Sequence, residues 1–248
     1  MARDQVAVRE LHEIGEFAAV HRLFDAIWRP DPANPPVTVE LLRVFSHAGG
    51  YVAGAFEGGE LVGASVGILA SGNSLHSHVT GAVSGRGIGY ALKSHQRQWC
   101  LERGIDRVTW TYDPLVRRNA HFNLTKLGAR PVEYVESFYG EMADAINEGD
   151  ESDRLVVEWL LKEEVAPAGR YDGAVALREV DGRPVRQAAD GPVVLVGTPA
   201  DIEALRRRDR DASRAWRHAM REVLGGLMAR DGRVTDFTEI GEYVVRGG

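Results

Sequence analysis

The stretch of this 248-residue chain with the clearest chemical potential runs from Leu75 to Tyr90. Its second half, Ser84-Gly85-Arg86-Gly87-Ile88-Gly89, sets glycines at alternate positions where an alternating strand pattern gives way to a helical one. Glycine lets the backbone turn sharply and approach a ligand closely. The N–H groups of the first turn of the helix that continues from Tyr90 join the positive end of the helix dipole in attracting an anion. Arg86, in the middle of the turn, can add a bidentate phosphate contact. The segment reads as a phosphate cradle, and the competing reading is a glycine-rich connection that holds nothing. In the first half, alternation puts His76 and His78 on one face of the strand that feeds the turn. Imidazole, with an ordinary pKa of about 6.5, moves protons near neutral pH; the competing reading is a hydrogen-bonded structural pair.

Two common phosphate-binding patterns do not fit. A dinucleotide fingerprint, Gly-x-Gly-x-x-Gly with an acid about 20 positions on, can take Asp106 or Asp113 as its acid, but its third glycine falls on Tyr90. The strands upstream also join by hairpin-length turns, which favours antiparallel pairing over a parallel start. No Gly-Lys-Ser or Gly-Lys-Thr occurs, so a Walker loop is excluded.

The elements that position this segment follow from periodicity. A short strand is expected at Val6 to Arg9, then an amphipathic helix carrying Leu11, Ile14, Phe17, Ala18, Leu23, Phe24 and Ile27, ended by Pro30 and Pro32. A second helix starts at Thr38, a good N-cap, and stops at Gly49 and Gly50. Tyr51 to Phe56 and Leu61 to Leu69 form a hairpin. After the glycine turn comes a helix to Arg103, a strand at Arg107 to Tyr112, a helix from Arg117 to Leu127, and strands at Pro131 to Tyr139 and Leu155 to Leu161. Apolar patterning lapses over 163–170, which reads as a linker. Beyond it the pattern predicts strands at Ala174 to Val180 and Val193 to Val196, one long helix from Pro199 to Ala229, and strands at Val234 to Phe237 and Tyr243 to Val245. In the long helix Ile202, Leu205, Ala212, Trp216, Ala219, Val223 and Leu227 form an apolar stripe, with Arg206 to Arg210 as the solvated face.

Composition narrows the function classes. A chain 44% hydrophobic and 27% charged is an ordinary globular mixture. No run approaches the roughly 18 apolar residues of a membrane span, and no secretory signal is visible, so a cytoplasmic protein without membrane partners is expected. A net charge of −6 argues against general nucleic-acid binding. The single cysteine, Cys100, offers neither a disulfide nor a metal cluster, so no metal is expected, and its place deep in a helix puts it in the core. Against 3 lysines stand 27 arginines, so any one arginine is weak support for a role.

From Tyr51 to Gly128 the order of hairpin, strand, Ser-Gly-Arg-Gly-Ile-Gly helix, strand and helix closing on Leu127-Gly128 resembles the GNAT superfamily of acyl-CoA-dependent N-acyltransferases. Gly87 and Gly89 match the two glycines of its Arg/Gln-x-x-Gly-x-Gly/Ala signature, and Asn119 matches the asparagine near the start of its later helix. Ser84 stands at the leading Arg/Gln position, and Leu124 where many relatives place a tyrosine general acid. The resemblance implies a mixed, mostly antiparallel sheet flanked by helices over 1–162, followed after the linker by a smaller C-terminal α/β extension over 171–248.

It further implies that an amine attacks the thioester of acetyl-CoA or another acyl-CoA, such as a dicarboxylic one. Gly81, Ala82 and Val83 would give the oxyanion and pantetheine contacts. Gly85, Arg86, Gly87, Ile88, Gly89, Tyr90 and Asn119 would complete the CoA site. His78 is the expected base and Tyr139 a substitute for the missing phenol. His76, Tyr112 and Arg117 would face a small-molecule amine, an amino acid if Arg117 and Arg118 grip a carboxylate. A non-catalytic acyl-CoA-binding module is the alternative. The extension is left as a pocket wall, a degenerate second copy of the fold, or a homodimer interface through Trp216 and Met220.

Overall fold

The computed structural model describes residues 6–32, 34–83, 87–140, 151–165 and 169–247. The chain divides into two compact units, one of 1–110 with 160–162 and the other of 111–159 with 163–248. This is not the division expected at 163–170. Residues 111–159 group with the C-terminal segment, where Asp113 is held by two buried arginines, Arg206 and Arg217.

In the first unit, strands β1 (Ala7–Glu10), β2 (Tyr51–Glu57), β3 (Glu60–Ala70), β4 (Ser74–Ala82) and β5 (Arg107–Tyr112, the last two residues belonging to the other unit) lie in that order. Neighbours from β1 to β4 are antiparallel, and β4 and β5 are parallel. Parallel pairing needs a crossover, supplied by α3 (Ile88–Glu102). Helices α1 (Ile14–Trp28) and α2 (Val39–His47) cover the other face. A capping box between Glu13 and Glu16 starts α1, and Thr38 caps α2 by accepting from the Leu41 N–H at 3.3 Å. Phe17, Val20, Phe24 and Leu42 pack against Val52, Ala64 and Val66. On the opposite face Ile88 and Leu92 of α3 meet Ala55 and Val62. The helix sits close there because Gly63 has no side chain: a Cβ would come within 2.7 Å of Ile88.

The second unit holds α4 (Arg117–Ala120), which continues as a π-helical turn over His121–Lys126, and the antiparallel pair β6 (Arg130–Val135) and β7 (Arg154–Leu160). It also holds a five-stranded sheet in the order β11-β12-β10-β8-β9: Arg233–Phe237, Glu242–Arg246, Val193–Gly197, Ala174–Val180 and Arg183–Arg186. The mixed α/β class expected from the sequence is the observed one.

Several local expectations need correction. The strand expected to reach Tyr139 stops at Val135, and Tyr139 lies in a turn whose backbone N–H donates to Ser152 Oγ at 2.7 Å. The single long helix is broken at Asp209, whose extended backbone ends α5 (Ile202–Arg208) while its carboxylate caps α6 (Arg210–Met220). Arg206 is buried rather than solvated, since it pairs with Asp113 at 2.6 Å. A π-helical turn at Arg221–Gly225, before α7 (Gly226–Met228), rotates the apolar stripe and buries Leu224 in place of Val223 and Leu227.

Candidate functional site

In the first unit the site is organised by an irregularity in β4. The β3 register pairs Gly67 with Ser77 and Val66 with Val79, so His78 is the extra residue of a β-bulge. Ser77 points to α3, where Lys93 Nζ donates to its Oγ at 2.9 Å. Alternation therefore turns both His76 and His78 to the opposite face, as the sequence pattern implied. There His78 Nε2 lies 3.1 Å from the Pro36 carbonyl oxygen. A carbonyl only accepts, so Nε2 carries the proton and the Nδ1 lone pair is the one left to take another. His76 Nδ1 lies 3.2 Å from Thr109 Oγ1. Burial lowers the His76 pKa below its usual value, and the neighbouring His78 and Lys93 add to that.

Pairing of β4 with β5 runs only from Ser74 opposite Arg107 to His76 opposite Thr109. Beyond it the strand keeps only β3 in register. The Val83 N–H donates to Val62 O at 2.9 Å, so Val83 is committed to the sheet and does not offer its N–H to a ligand as the resemblance implied. By the alternation of antiparallel pairs, the N–H groups of Ala82 and Thr80 point away from β3. Gly81 lies under Trp28 of α1, whose Cη2 would be 2.5 Å from a Cβ there.

The turn that follows is described only from Gly87 onward; Ser84, Gly85 and Arg86 lie outside the described residues. Gly87 is the N-cap of α3 with φ +73°, in the left-handed region. The first helical bond is from Ala91 N–H to Gly87 O at 3.0 Å, so the N–H groups of Ile88, Gly89 and Tyr90 precede the ladder. The Ile88 side chain is core, which leaves it only its N–H for a ligand, whereas Tyr90 is exposed. Gly89 has a helical conformation, and a Cβ there would meet nothing within 4 Å. Packing among the described residues gives no reason for a glycine at that position.

The remaining expected site residues belong to the second unit. Tyr112 is buried and its hydroxyl donates to Tyr243 Oη at 3.2 Å, which donates in turn to Pro114 O at 2.8 Å. Arg117 donates from Nε to Thr198 Oγ1 at 3.1 Å and from Nη2 to Thr198 O at 2.5 Å. Arg118 is paired with Glu203. All three are spent on the unit's own structure, which removes the carboxylate grip expected of the arginines. Asn119 is half-buried in α4, its N–H on Val116 O. Tyr139 is exposed, edge-on to Phe138 and 5.5 Å from the Arg154 guanidinium. Leu124 is buried.

Sequence reasoning missed Lys93. Fully seated in the first unit, it also donates to Gln96 Oε1 at 3.1 Å and lies 4.0 Å from the centre of the Trp110 ring. Burial pulls its pKa down to about 7. The available signal was its rarity, one of 3 lysines beside 27 arginines, since lysine can lose its proton and arginine cannot. Among the described residues no cluster of His, Cys, Asp and Glu is arranged to hold a metal, and no helix is long and apolar enough to cross a membrane.

No protein-family model matches the chain, and no curated protein does. Solved structures do. An acetyltransferase of the GNAT family from Streptococcus pneumoniae matches with a TM-score of 0.51 at 15% identity, over 63% of this chain and 99% of that one. A ribosomal-protein-alanine N-acetyltransferase from Brucella melitensis gives 0.51 at 16%, over 62% and 99%. An N-acetyltransferase from Staphylococcus aureus gives 0.50 at 12%, over 64% and 99%. At such identities the likeness is one of fold, and that fold is the one shared by GNAT-family acetyltransferases.

Proposed function

We propose that the chain is an acyl-CoA-dependent N-acyltransferase acting on a small-molecule amine by direct attack. The observation that carries this reading is the end of β4. The strand leaves its β5 partner after His76, bulges at His78, turns two N–H groups outward at Thr80 and Ala82, and is followed by the N-terminus of α3. Phosphates suit that N-terminus through the N–H groups of Ile88, Gly89 and Tyr90. The pantetheine arm suits the outward edge of β4, where peptide groups have no second strand.

In the reaction the amine nitrogen bonds to the thioester carbon, and the carbonyl electrons move onto oxygen. The Ala82 or Thr80 N–H is oriented to stabilise that oxyanion. His78 takes the amine's proton at Nδ1, directly or through a water, while Nε2–H stays fixed on Pro36 O. The tetrahedral adduct then expels the thiolate, which takes up the proton. A thiol with a pKa of about 8.5 leaves tolerably without prior protonation, so a buried Leu124 at the usual tyrosine position does not stop the reaction. With Arg117 and Arg118 held by Thr198 and Glu203, an amine without a carboxylate fits better than an amino acid.

The test is thiol release from acetyl-CoA and succinyl-CoA across a panel of amines, with His78→Ala beside the wild type. The expected outcome is amine-dependent release that falls by about 100-fold or more in the variant, with CoA affinity in a thermal shift unchanged. Stabilisation by CoA without turnover on any amine would favour the binding-module reading, for which the buried Leu124 is the supporting observation.

A further inference from the structure

Lys93 is placed directly behind the reaction centre assigned above. It leaves α3 for the back of β4 and reaches Ser77, the residue before the bulge. Its Nζ has three acceptors around it: Ser77 Oγ at 2.9 Å, Gln96 Oε1 at 3.1 Å and the Trp110 ring face at 4.0 Å. Three acceptors match the three hydrogens of an ammonium. Both hydrogen-bonding partners are uncharged, and Gln96 is itself tied to Ser65, whose hydroxyl meets Thr80 at 2.7 Å. Two consecutive residues of β4 are thus fastened from opposite sides, Ser77 by Lys93 and His78 by the Pro36 carbonyl.

We propose that Lys93 is a positioning residue for the β4 centre: seated on the back of the strand at Ser77, it fixes the bulge at His78 and sets its charge behind the neighbouring His76. The proposal deepens the acyltransfer reading and rests on it only for the kinetic consequence. A cation behind the strand opposes a second cation in front of it. The groups that bear on His76 are His78 beside it, Lys93 from α3 and the Thr109 hydroxyl from β5, with no carboxylate among those that shift it. Those that bear on Lys93 are Ser77, Gln96, Trp110 and, on its own helix, Cys100. As pH falls, the first proton goes to the amine at about 7, on the face away from the histidines, and that charge resists protonation of His76. Arginine would give a permanent charge and lysine gives one that can be withdrawn.

Imidazole NMR titrations of the full chain test this without any substrate. The wild-type His76 midpoint is expected below the ordinary 6.5, and in Lys93→Met it should climb toward that value; in Lys93→Arg it should stay low. Because His76 stands beside the proposed base His78, a change in its charge should displace the acid limb of the kcat profile in Lys93→Met. Equal His76 midpoints in wild type and Lys93→Met overturn the proposal, whatever the activity. If Lys93→Met does not fold, the wild-type Lys93 Cε resonance decides: a titration near 7 with a second inflection shared with His76 supports it, and one near the ordinary 10.5 overturns it. Absence of acyl transfer in the wild type would count against the function assigned above and leave the NMR result standing.

Discussion

In the second unit a single carboxylate, Asp113, receives three charge-assisted bonds, from Arg206 at 2.6 Å and from both ends of the Arg217 guanidinium at 2.8 Å, and accepts the Leu115 N–H at 2.9 Å. In the first unit a single ammonium, Lys93, is equally buried and meets only neutral acceptors. Arg217 and Arg206 hold the Asp113 carboxyl far below its usual range against the opposing effect of burial. Burial alone drives Lys93 to about 7. One network is a closed structural unit whose charge state is fixed. The other changes charge in the range where a cell works, and it lies one residue from the bulge. Buried charge takes on a functional reading where its compensation is incomplete.

The sharpest way to break the contrast is to remove the carboxylate. Asp113→Asn removes the carboxylate that Arg206 and Arg217 share, and truncating one partner of a buried pair costs about 3–5 kcal/mol. Urea denaturation of the variant should show a loss of that size. A loss under about 1 kcal/mol would mean that water or other groups satisfy the arginines, and the pair would then be no stronger than a surface one.

Lys93 offers the next effect, visible as a slope. In the unfolded chain the amine has its ordinary pKa of 10.5, and in the folded chain about 7. Between these values the unfolded state binds more protons, so stability rises with pH, by up to about 1.4 kcal/mol per pH unit. The window to use is pH 7 to 8.5, below the ordinary thiol value of 9.0, because Cys100 is raised to about 12 when folded and acts in the opposite direction above it. Denaturation curves across this window should steepen in stability for the wild type and stay flat for Lys93→Met. Parallel slopes would show that the amine keeps its proton inside the fold.

Much of the frame was legible in the sequence because it depends on short-range rules. The Thr38 cap, the β2–β3 hairpin and the helix after the glycine turn are each set by neighbouring residues. The bulge at His78 was not legible, because it depends on where β3 and β4 fall into register, a relation between Gly67 and Ser77 that neither strand encodes alone. The burial of Arg206 was hidden for a similar reason: its partner lies 93 positions away. Tyr112 is expected in the candidate site from its place at the end of a strand and Arg117 from its charge, yet they are tied to Tyr243 and Thr198. His78 was identified from its position, but the Pro36 carbonyl that fixes its proton-bearing nitrogen required the fold.

Glycines give the smallest and most discriminating test. In the second unit Gly241 is required by the fold itself: its φ is +92° and a Cβ would collide with the Arg117 guanidinium. In the first unit Gly89 has helical geometry and open space where its side chain would be. Replacing a glycine by alanine in a compatible conformation stabilises a chain by about 0.4–1 kcal/mol, mostly by narrowing the unfolded ensemble. Gly89→Ala should therefore raise the melting temperature by about 1–4 °C. If the open space is where the acyl-CoA phosphates approach the α3 N-terminus, the same change should raise KM for acyl-CoA and leave kcat nearly unchanged, because the methyl group obstructs binding and not the chemistry at His78. A more stable protein that binds its donor less well would show that Gly89 is kept for a ligand. A variant equal to the wild type in KM would remove the helix N-terminus from the candidate site and leave the β4 edge to account for donor binding alone.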